Sequence, residues 1–238
     1  MRNKKVIIAL LDNLIWPLLI LIVIMFHFIS DKFLTTFNIT NILIHAAVLG
    51  ILTVGQSFTL ITGNFDLSAE STLAIAALIG AWLILPSEAP NFGGDIFLPV
   101  GLAVIALLVL GLIAGWINGF LITRLKMNNF IVTLAMMIVL RGFMLVISEG
   151  NTMAGLPDAF KALGHNDLGK IPVSVLMMVI VFIIAHIIMQ YTQFGRNLYA
   201  VGGNRDAALA AGISPDKHTR QVYLISGFLA ALGGLMLA

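Results

Sequence analysis

Three ionisable side chains stand beside or within long apolar stretches, where an unpaired charge is costly. They are Asp66, Glu70 and Arg141. At membrane depth such groups usually pair with one another or mark a pathway. Asp66 and Glu70 lie where two apolar runs meet, which suits either a gating break or an ordinary capped turn at the membrane surface. We expect Arg141 to extend toward the nearer interface, with pairing to Asp66 as the alternative.

Neutral hydrogen-bonding side chains form a second candidate set, namely Gln56, Thr59, Asn118, Asn129 and Thr133. Such groups can line a pathway for a polar solute, because neutral hydrogen bonds are weak enough to be exchanged. They also commonly bond between membrane helices, and that alternative stays open. The candidates for a translocation pathway or gate are therefore Gln56, Asp66, Asn118, Asn129 and Arg141.

Small residues recur at helical spacing in one apolar run. Gly111, Gly115 and Gly119 are four residues apart and so share one face of a helix. A stripe of this kind lets a neighbouring backbone approach closely. We interpret it as a helix-packing surface, which can equally serve a dimer or a partner interface.

A polar stretch at residues 190–223 interrupts the apolar sequence, and its order of residues predicts a helix, a glycine turn and a second helix. Asn204 is a good N-cap for a helix from Arg205 to Ala211, and Gly212 suits the left-handed position that follows. Ser214 and Pro215 then suit the start of the second helix, with Asp216 in its first turn. We expect a compact elbow that docks on a partner, the alternative being a solvated connector.

Several chemistries are excluded by the residues themselves. The stretch Gly164 to Lys170 fits GxxxxGK, but Ile171 replaces the Ser or Thr that would hold magnesium, so we treat the match as chance. The chain has no cysteine, and it carries no metalloprotease or serine-hydrolase motif. We expect no catalytic residue, no cofactor, no metal and no nucleic-acid partner.

The composition places these residues in a membrane. Hydrophobic residues make up 60% of the chain and charged residues 10%, against about 25% charged in a soluble domain. Seven apolar runs approach the ~20 residues that a helix needs to cross the hydrocarbon core. We predict an all-α, polytopic helical bundle of about seven spans. The runs are Leu14 to Ile29, Ile42 to Gly63, Ser71 to Leu85, Phe97 to Thr123, Phe130 to Ser148, Pro172 to Met189 and Val222 to Ala238.

The distribution of cations predicts the orientation. If the N-terminus is cytoplasmic and the spans alternate in direction, nine basic residues lie on the cytoplasmic side of the membrane and three on the outer side. This is the asymmetry that the positive-inside rule requires. The polar stretch 190–223 is then cytoplasmic. The inside positions are Arg2, Lys4, Lys5, Arg124, Lys126, Arg196, Arg205, Lys217 and Arg220, and the outside positions are Lys32, Lys161 and Lys170.

Four stretches together resemble one family. GRNLYAVGGNRDAALAAGI resembles the coupling segment of permease subunits from bacterial ABC importers of the ribose, arabinose and xylose class. ITGNFDLSAESTLA is similar to that family's ITGGIDLSVGS, and NGFLITRLKMNNFIVTLAMMIVLRG is similar to NGLLVTRLRIPPFIVTLGTMxxxRG. NITNIL at Asn38 to Leu43 resembles the stretch before the second span. The matches cover nearly the whole chain in the expected order.

The resemblance implies a role for the elbow. Asp206 stands where the family usually has glutamate, Ala207 and Ala208 match its alanines, and Gly212 matches its glycine. These residues would seat the elbow in a groove of a cytoplasmic ATP-binding subunit, with Asn204 as the cap. Arg205 and Asp206 would set the orientation, while Ala207, Ala208 and Gly212 would allow close approach.

The resemblance also implies the assembly and its location. Residues 1–238 would form a single transmembrane permease domain in the bacterial inner membrane, with the coupling loop at 190–223. The partners would be two ATP-binding subunits, an extracytoplasmic solute-binding protein, a second permease subunit in a homodimer or heterodimer, and membrane lipid. The imported solute would be a monosaccharide or a similar polyol.

Two departures from the family pattern leave other functions open. Asn64 and Glu70 replace glycines, so the backbone at the break between the second and third spans can differ from the usual one. Family members also run to roughly three more spans, so the C-terminal part of the family domain would be missing here. The alternatives are a secondary transporter driven by an ion gradient and a scaffold subunit that does not transport.

Overall fold

The computed structural model describes residues 14–88, 92–165, 167–168 and 171–237. The chain divides into two compact units, the first ending at Leu43 and the second beginning at Ile44. In the first unit, helix α1 spans Ile15–Ile29 and is followed by a short turn and the start of helix α2. The Asn38 amide donates to the backbone oxygen of Phe33 (2.8 Å), which fixes the beginning of α2 to that turn.

The second unit holds the rest of α2 and nearly all other regular structure. The elements are α2 Thr36–Ile61, α3 Ala69–Trp82, α4 Val100–Arg124, α5 Asn129–Ser148, α6 Asp158–His165, β1 Asp167–Leu168, β2 Ile171–Pro172, α7 Val173–Tyr191, α8 Gln193–Gly203, α9 Arg205–Ala210 and α10 Pro215–Leu237. Strands β1 and β2 pair antiparallel, with Asp167 opposite Pro172 and Leu168 opposite Ile171.

The predicted all-α membrane fold is confirmed. Among the described residues, the helices long and apolar enough to cross a membrane are five, namely α2, α4, α5, α7 and α10. Two further apolar helices, α1 and α3, have 15 and 14 residues and are short for a span. Each of the seven predicted apolar runs therefore corresponds to one apolar helix, although the last run starts at Val222, seven residues after the start of its helix.

Helix α10 is the most buried of the five membrane-length helices, because it packs against α2, α3 and α4 together. The Ser226 α-carbon would lie 3.3 Å from a Cβ added at Gly55 of α2. A Cβ at Gly234 would overlap the backbone oxygen of Leu73 in α3. Close backbone approach thus accompanies side-chain packing at the centre of the second unit.

The glycine stripe of α4 is the most extensive of these close contacts. A Cβ at Gly111 would overlap the backbone oxygen of Gly227, and one at Gly115 would overlap that of Tyr223. A Cβ at Gly119 would lie 3.1 Å from the α-carbon of Arg220. The stripe therefore faces α10 of the same chain, and this occupies the surface that a dimer or partner interface would need.

The outer helices carry large apolar side chains on their exposed faces. In α5, Ile138 and Val146 are 62% and 75% exposed, and in α7 Ile183 is 53% exposed. Exposed apolar surface on this scale is stable in lipid and would be a liability in water. The chain is an integral, multi-pass membrane protein.

The segment between α3 and α4 is tied by one carboxylate. Asp95 accepts hydrogen bonds from the backbone N–H of Ser87 (2.7 Å) and from the Ser87 hydroxyl. These bonds stabilise the charged form and lower the pKa of the exposed Asp95 carboxyl.

Candidate functional site

Helix α2 ends in a Schellman motif, which begins the non-helical break at Thr62–Ser68. The N–H of Gly63 donates to the oxygen of Leu60 (2.9 Å), and the N–H of Asn64 donates to that of Thr59 (3.0 Å). Gly63 takes the left-handed conformation that this motif needs, with φ +74°. The replacement of a family glycine by Asn64 therefore leaves the glycine-dependent position of the turn intact.

Asp66 lies in the middle of the break and is almost completely buried, at 3% exposure. Its Oδ1 accepts from the backbone N–H (3.0 Å) and the hydroxyl (2.6 Å) of Ser68, and its Oδ2 accepts from the hydroxyl of Ser226 in α10 (2.8 Å). A buried carboxylate is tolerated when donors satisfy it and when it lies near a positive helix end. Asp66 has both, since α3 begins three residues later. The carboxyl group at the centre of the break is therefore packed inside the protein, with donors for both of its oxygens.

Gln56 of α2 forms hydrogen bonds with the break. Its side-chain amide donates to the backbone oxygen of Asp66, and its Oε1 accepts from the backbone N–H of Asp66 (3.3 Å). This paired arrangement satisfies both backbone groups of a residue that lies outside any helix, as buried backbone requires.

Asn118 brings α4 to the same place. It is fully buried, and its Nδ2 donates to the hydroxyl oxygen of Ser68 (2.8 Å). Its Oδ1 is buried without a hydrogen-bond partner among the described residues. We call Gln56, Asp66, Ser68, Asn118 and Ser226 the polar junction. It joins α2, α3, α4 and α10 around the break.

Two more contacts flank the polar junction. The amide of Asn129, at the start of α5, donates to Oδ1 of Asn64 (3.3 Å). The hydroxyl of Tyr223 in α10 donates to the backbone oxygen of Phe65 (3.0 Å). Four of the five predicted pathway residues, all except Arg141, thus lie in or beside one site. As arranged here, their hydrogen bonds run mainly to other protein groups.

Arg141 pairs with Glu70, and Ser68 lies at the turn that leads into α3. Arg141 does not pair with Asp66, because it lies 3.6 Å from Glu70 on an exposed surface, where both side chains are more than half exposed. Ser68 does precede α3 but forms no side-chain cap. Instead Asp66 accepts from the Ser68 N–H in an Asx-type turn.

Sequence reasoning missed the residues that α10 contributes. Ser226 and Tyr223 bond to residues about 160 positions earlier in the chain. No local pattern marks them, because a single serine or tyrosine in an apolar helix is ordinary. Their polar atoms in a central membrane helix were the one available signal.

The polar stretch 190–223 forms a capped elbow. The Asn204 side chain accepts from the backbone N–H groups of Asp206 (3.0 Å) and Ala207 (2.9 Å), which caps α9. At the other end, Gly212 has φ +80°, and the N–H of Ile213 returns to the oxygen of Ala208 (2.9 Å). We call residues Asn204 to Ser214 the elbow. Its cap, helix, glycine turn and following helix agree with the predicted order.

The surface of the elbow carries most of the predicted coupling residues. Asn204, Asp206, Ala207 and Gly212 are exposed, whereas Ala208 is buried at 3% exposure and packs within the chain. Leu209 is 62% exposed and adds an apolar side chain that was not predicted. A partner surface on the elbow would therefore include Leu209 in place of Ala208.

Charged groups brace the elbow from inside the chain. Arg205 is exposed but pairs with Asp216 at the start of α10. Lys126, from the connection between α4 and α5, also pairs with Asp216 (2.6 Å). Arg205 therefore orients the elbow on its own chain, in addition to any contact with a partner.

His218 fastens the elbow to the preceding helix. The imidazole is 7% exposed, with Nδ1 2.8 Å from the oxygen of Ser214 and Nε2 3.2 Å from Nδ2 of Asn197 in α8. Because the Asn197 amide donates, Nε2 accepts and Nδ1 donates to Ser214. The ring of Phe194 stacks on this imidazole at a centroid distance of 5.9 Å.

Helix α8 was not foreseen as a separate helix. The Thr192 hydroxyl caps it by accepting from the N–H of Gly195 (3.2 Å), and it runs to Gly203. The adjacent glycines Gly202 and Gly203 form the end of α8.

Comparison with known proteins gives consistent relatives. The family model described as "Branched-chain amino acid transport system / permease component" matches residues 38–238. The ribose import permease protein of Bacillus subtilis (strain 168) is 37% identical over 221 residues, covering 92% of this chain and 66% of that protein. No solved structure matches.

Two relatives from Escherichia coli (strain K12) are also similar. The D-allose transport system permease protein is 34% identical over 220 residues, covering 92% of this chain and 65% of that protein. The L-arabinose transport system permease protein is 31% identical over 207 residues, covering 87% of this chain and 60% of that protein. The chain spans somewhat less than two thirds of the length of these relatives.

Proposed function

Because the chain belongs to the family described as branched-chain amino acid transport system permease components, we propose that it is the membrane-spanning subunit of an ATP-driven, binding-protein-dependent importer. Family members are permease components and the chain is a multi-pass inner-membrane protein. Solute would cross between two permease subunits, of which this chain is one.

The proposed solute is a monosaccharide or a similar polyol. The relatives compared above are named for ribose, allose and arabinose, although the family description names amino acids. The polar junction supports a neutral solute, because its members other than Asp66 are amides and hydroxyls. The buried Asn118 Oδ1 can accept one further hydrogen bond, which a water molecule would supply.

The elbow is the observation that carries the proposal. It is a short helix with both ends closed by hydrogen bonds, its outer face is exposed, and Arg205 and His218 link it to α10 and α8. A braced helix transmits a rigid-body movement, whereas a flexible connector would absorb it. This is the property that a permease needs where an ATP-binding subunit docks.

Two further elements of the proposal concern energy and direction. ATP hydrolysis would take place in cytoplasmic ATP-binding subunits, and an extracytoplasmic solute-binding protein would deliver the sugar. The excess of basic residues on the loops that share a side with the elbow supports a cytoplasmic position for it. The second permease subunit would be either another copy or a related chain.

The test is reconstitution from native membranes. A tagged chain is purified, co-purifying subunits are identified, and the complex is placed in liposomes with its solute-binding protein. Uptake of labelled ribose, allose and arabinose is measured with and without ATP. The proposal predicts uptake of one of these sugars that needs ATP, the binding protein and the co-purified ATP-binding subunit. Absence of an ATP-binding subunit from the purified complex would contradict it.

One observation favours the secondary transporter as a second candidate. Asp66 is a buried carboxylate at a helix break, which is where ion-coupled transporters place coupling groups. That function predicts sugar uptake by liposomes that contain this chain alone, when an inward proton or sodium gradient is imposed. Uptake that requires ATP and does not depend on the ion gradient would exclude the secondary transporter.

A further inference from the structure

Helix α8 lies along the C-terminal end of α2 through one face. Phe194, Leu198 and Gly202 are spaced four residues apart and so project from the same side of α8. The Phe194 ring is 6.5 Å from that of Phe58 between centroids, and Leu198 is fully buried in the same apolar cluster as Phe58. The third residue on this face, Gly202, contacts the backbone of α2 and not a side chain.

Gly202 touches the backbone of α2 directly. A Cβ at this position would overlap the backbone oxygen of Ile61, so only a residue without a side chain fits. Since the obstacle is a backbone carbonyl, it cannot rotate away as a flexible side chain would. At Gly203, the next residue, a Cβ would meet nothing within 4 Å. The close approach is therefore specific to one position.

The contact lies where α2 gives way to the break. Ile61 is the last residue of α2, and the break at Thr62–Ser68 follows at once. Within the break, Asp66 is bonded to Gln56 of α2 and to Ser226 of α10. A displacement of Ile61 therefore acts on the segment that positions the polar junction.

At its other end, α8 is continuous with the elbow. Asn204 is the C-cap residue of α8 and the N-cap residue of α9, so no flexible linker separates the two helices. His218 also joins the elbow to α8 through Asn197. A displacement of the elbow therefore displaces α8 as well, because no flexible segment lies between them.

We infer that Gly202 is a positioning residue through which α8 moves the end of α2 when the elbow is displaced, and this inference rests on the proposed function. The elbow, α8 and the last turn of α2 move together, and the break between α2 and α3 absorbs the movement. Its effect on transport is exerted through the polar junction, because the atoms nearest to a Cβ at Gly202 would belong to Ile61 and Thr62 and to none of the pathway residues.

The first test compares Gly202→Ala with Gly203→Ala in the reconstituted complex of permease, ATP-binding subunit and solute-binding protein. Gly203→Ala should keep both ATP hydrolysis and ATP-dependent uptake of the labelled sugar. Gly202→Ala should still assemble and hydrolyse ATP but should lose uptake, so that the ratio of ATP hydrolysed to sugar imported rises sharply. Equal ratios in the two variants would overturn the inference. Failure of the unchanged complex to import sugar with ATP would overturn the proposed function itself.

The second test keeps Gly202 and so does not depend on the folding of a variant at that position. The chain has no native cysteine, so labels can be placed at chosen sites. One spin-label pair joins Leu60, which is 59% exposed, to Gly203, and a reference pair joins Gly203 to Gly142, where a Cβ would meet nothing within 4 Å. Between nucleotide-free and ATP-bound complexes, the Leu60 to Gly203 distance should stay constant while the reference distance changes. A change in the first pair, or constancy of both, would overturn the inference.

Discussion

Asp66 and Ser226 are 160 residues apart in the chain and are joined by a hydrogen bond of 2.8 Å. Because Asp66 also accepts from Ser68, its carboxylate links the start of α3 to the centre of α10. Asn118 extends the link to α4 through Ser68. A buried carboxyl group therefore holds three helices of the second unit at one point.

Replacing Ser226 by Ala should destabilise this point measurably. The variant removes one donor to a buried carboxylate, and hydrogen bonds between membrane helices contribute about 0.6–1.7 kcal/mol. Ser57→Ala is the matched control, because the Ser57 hydroxyl donates to Thr53 of its own helix. Unfolding in mixed micelles should show a lower stability for Ser226→Ala than for Ser57→Ala. A double cycle with Asp66→Asn should give a non-additive coupling of similar size, and strict additivity would contradict the link.

The glycine stripe should tolerate no side chain. Gly115→Ala places a Cβ against the backbone oxygen of Tyr223, and overpacking of this kind costs about 1–3 kcal/mol. Gly142→Ala is the control, because its site in α5 is open, and Ala is favoured over Gly in a helix by up to about 1 kcal/mol. The melting temperature in detergent should fall for Gly115→Ala and stay level or rise for Gly142→Ala. Equal changes would mean that α4 and α10 do not pack as described.

The cap of α9 should control the order of the elbow. Asn204→Ala removes the acceptor for two backbone N–H groups, which costs about 1 kcal/mol, while Asn204→Asp retains it. Hydrogen–deuterium exchange across α9 should accelerate in the Ala variant and stay slow in the Asp variant. The Ala variant should also bind the ATP-binding subunit more weakly than the Asp variant. Equal binding by both variants would mean that docking does not depend on an ordered α9.

Asp216 should matter more to the elbow than either of its cationic partners. Asp216→Ala removes the pairs with Arg205 and Lys126 together, whereas Lys126→Ala removes one. Partly exposed pairs contribute only about 0–1 kcal/mol each, so the difference is small and weakens with salt. Limited trypsin digestion at Arg205 should be faster for Asp216→Ala than for Lys126→Ala at low salt. At high salt, which screens the ion pairs, the two variants should be digested at equal rates.

Local structure in the elbow followed from the sequence because its causes are local. Asn204 and Gly212 act on neighbours within a few residues, through an N-cap and a left-handed turn, and both can be recognised from residue type and order. The apolar helices were equally predictable, since each depends on the composition of one continuous run.

The sequence predicted most residues of the polar junction as polar candidates, but it did not predict that they contact one another. Asp66, Gln56 and Asn118 stood out because polar groups are rare in apolar runs, but their mutual bonds depend on how helices far apart in sequence pack. The pairing of Arg141 with Glu70, and the separate helix α8, also depend on tertiary contacts. Helix α8 mixes Gln193, Arg196 and Asn197 with three glycines, so composition alone did not distinguish it from a connector.

The contact between α4 and α10 also has a consequence for synthesis. Gly115 emerges from the ribosome more than a hundred residues before Gly227 and Tyr223, which at about 5–20 residues per second is a delay of roughly 5–20 seconds. During that interval α4 is inserted without the helix that fills its glycine groove. The membrane insertion machinery or lipid must cover the groove until α10 arrives, and the nascent chain is most open to misassembly at that stage.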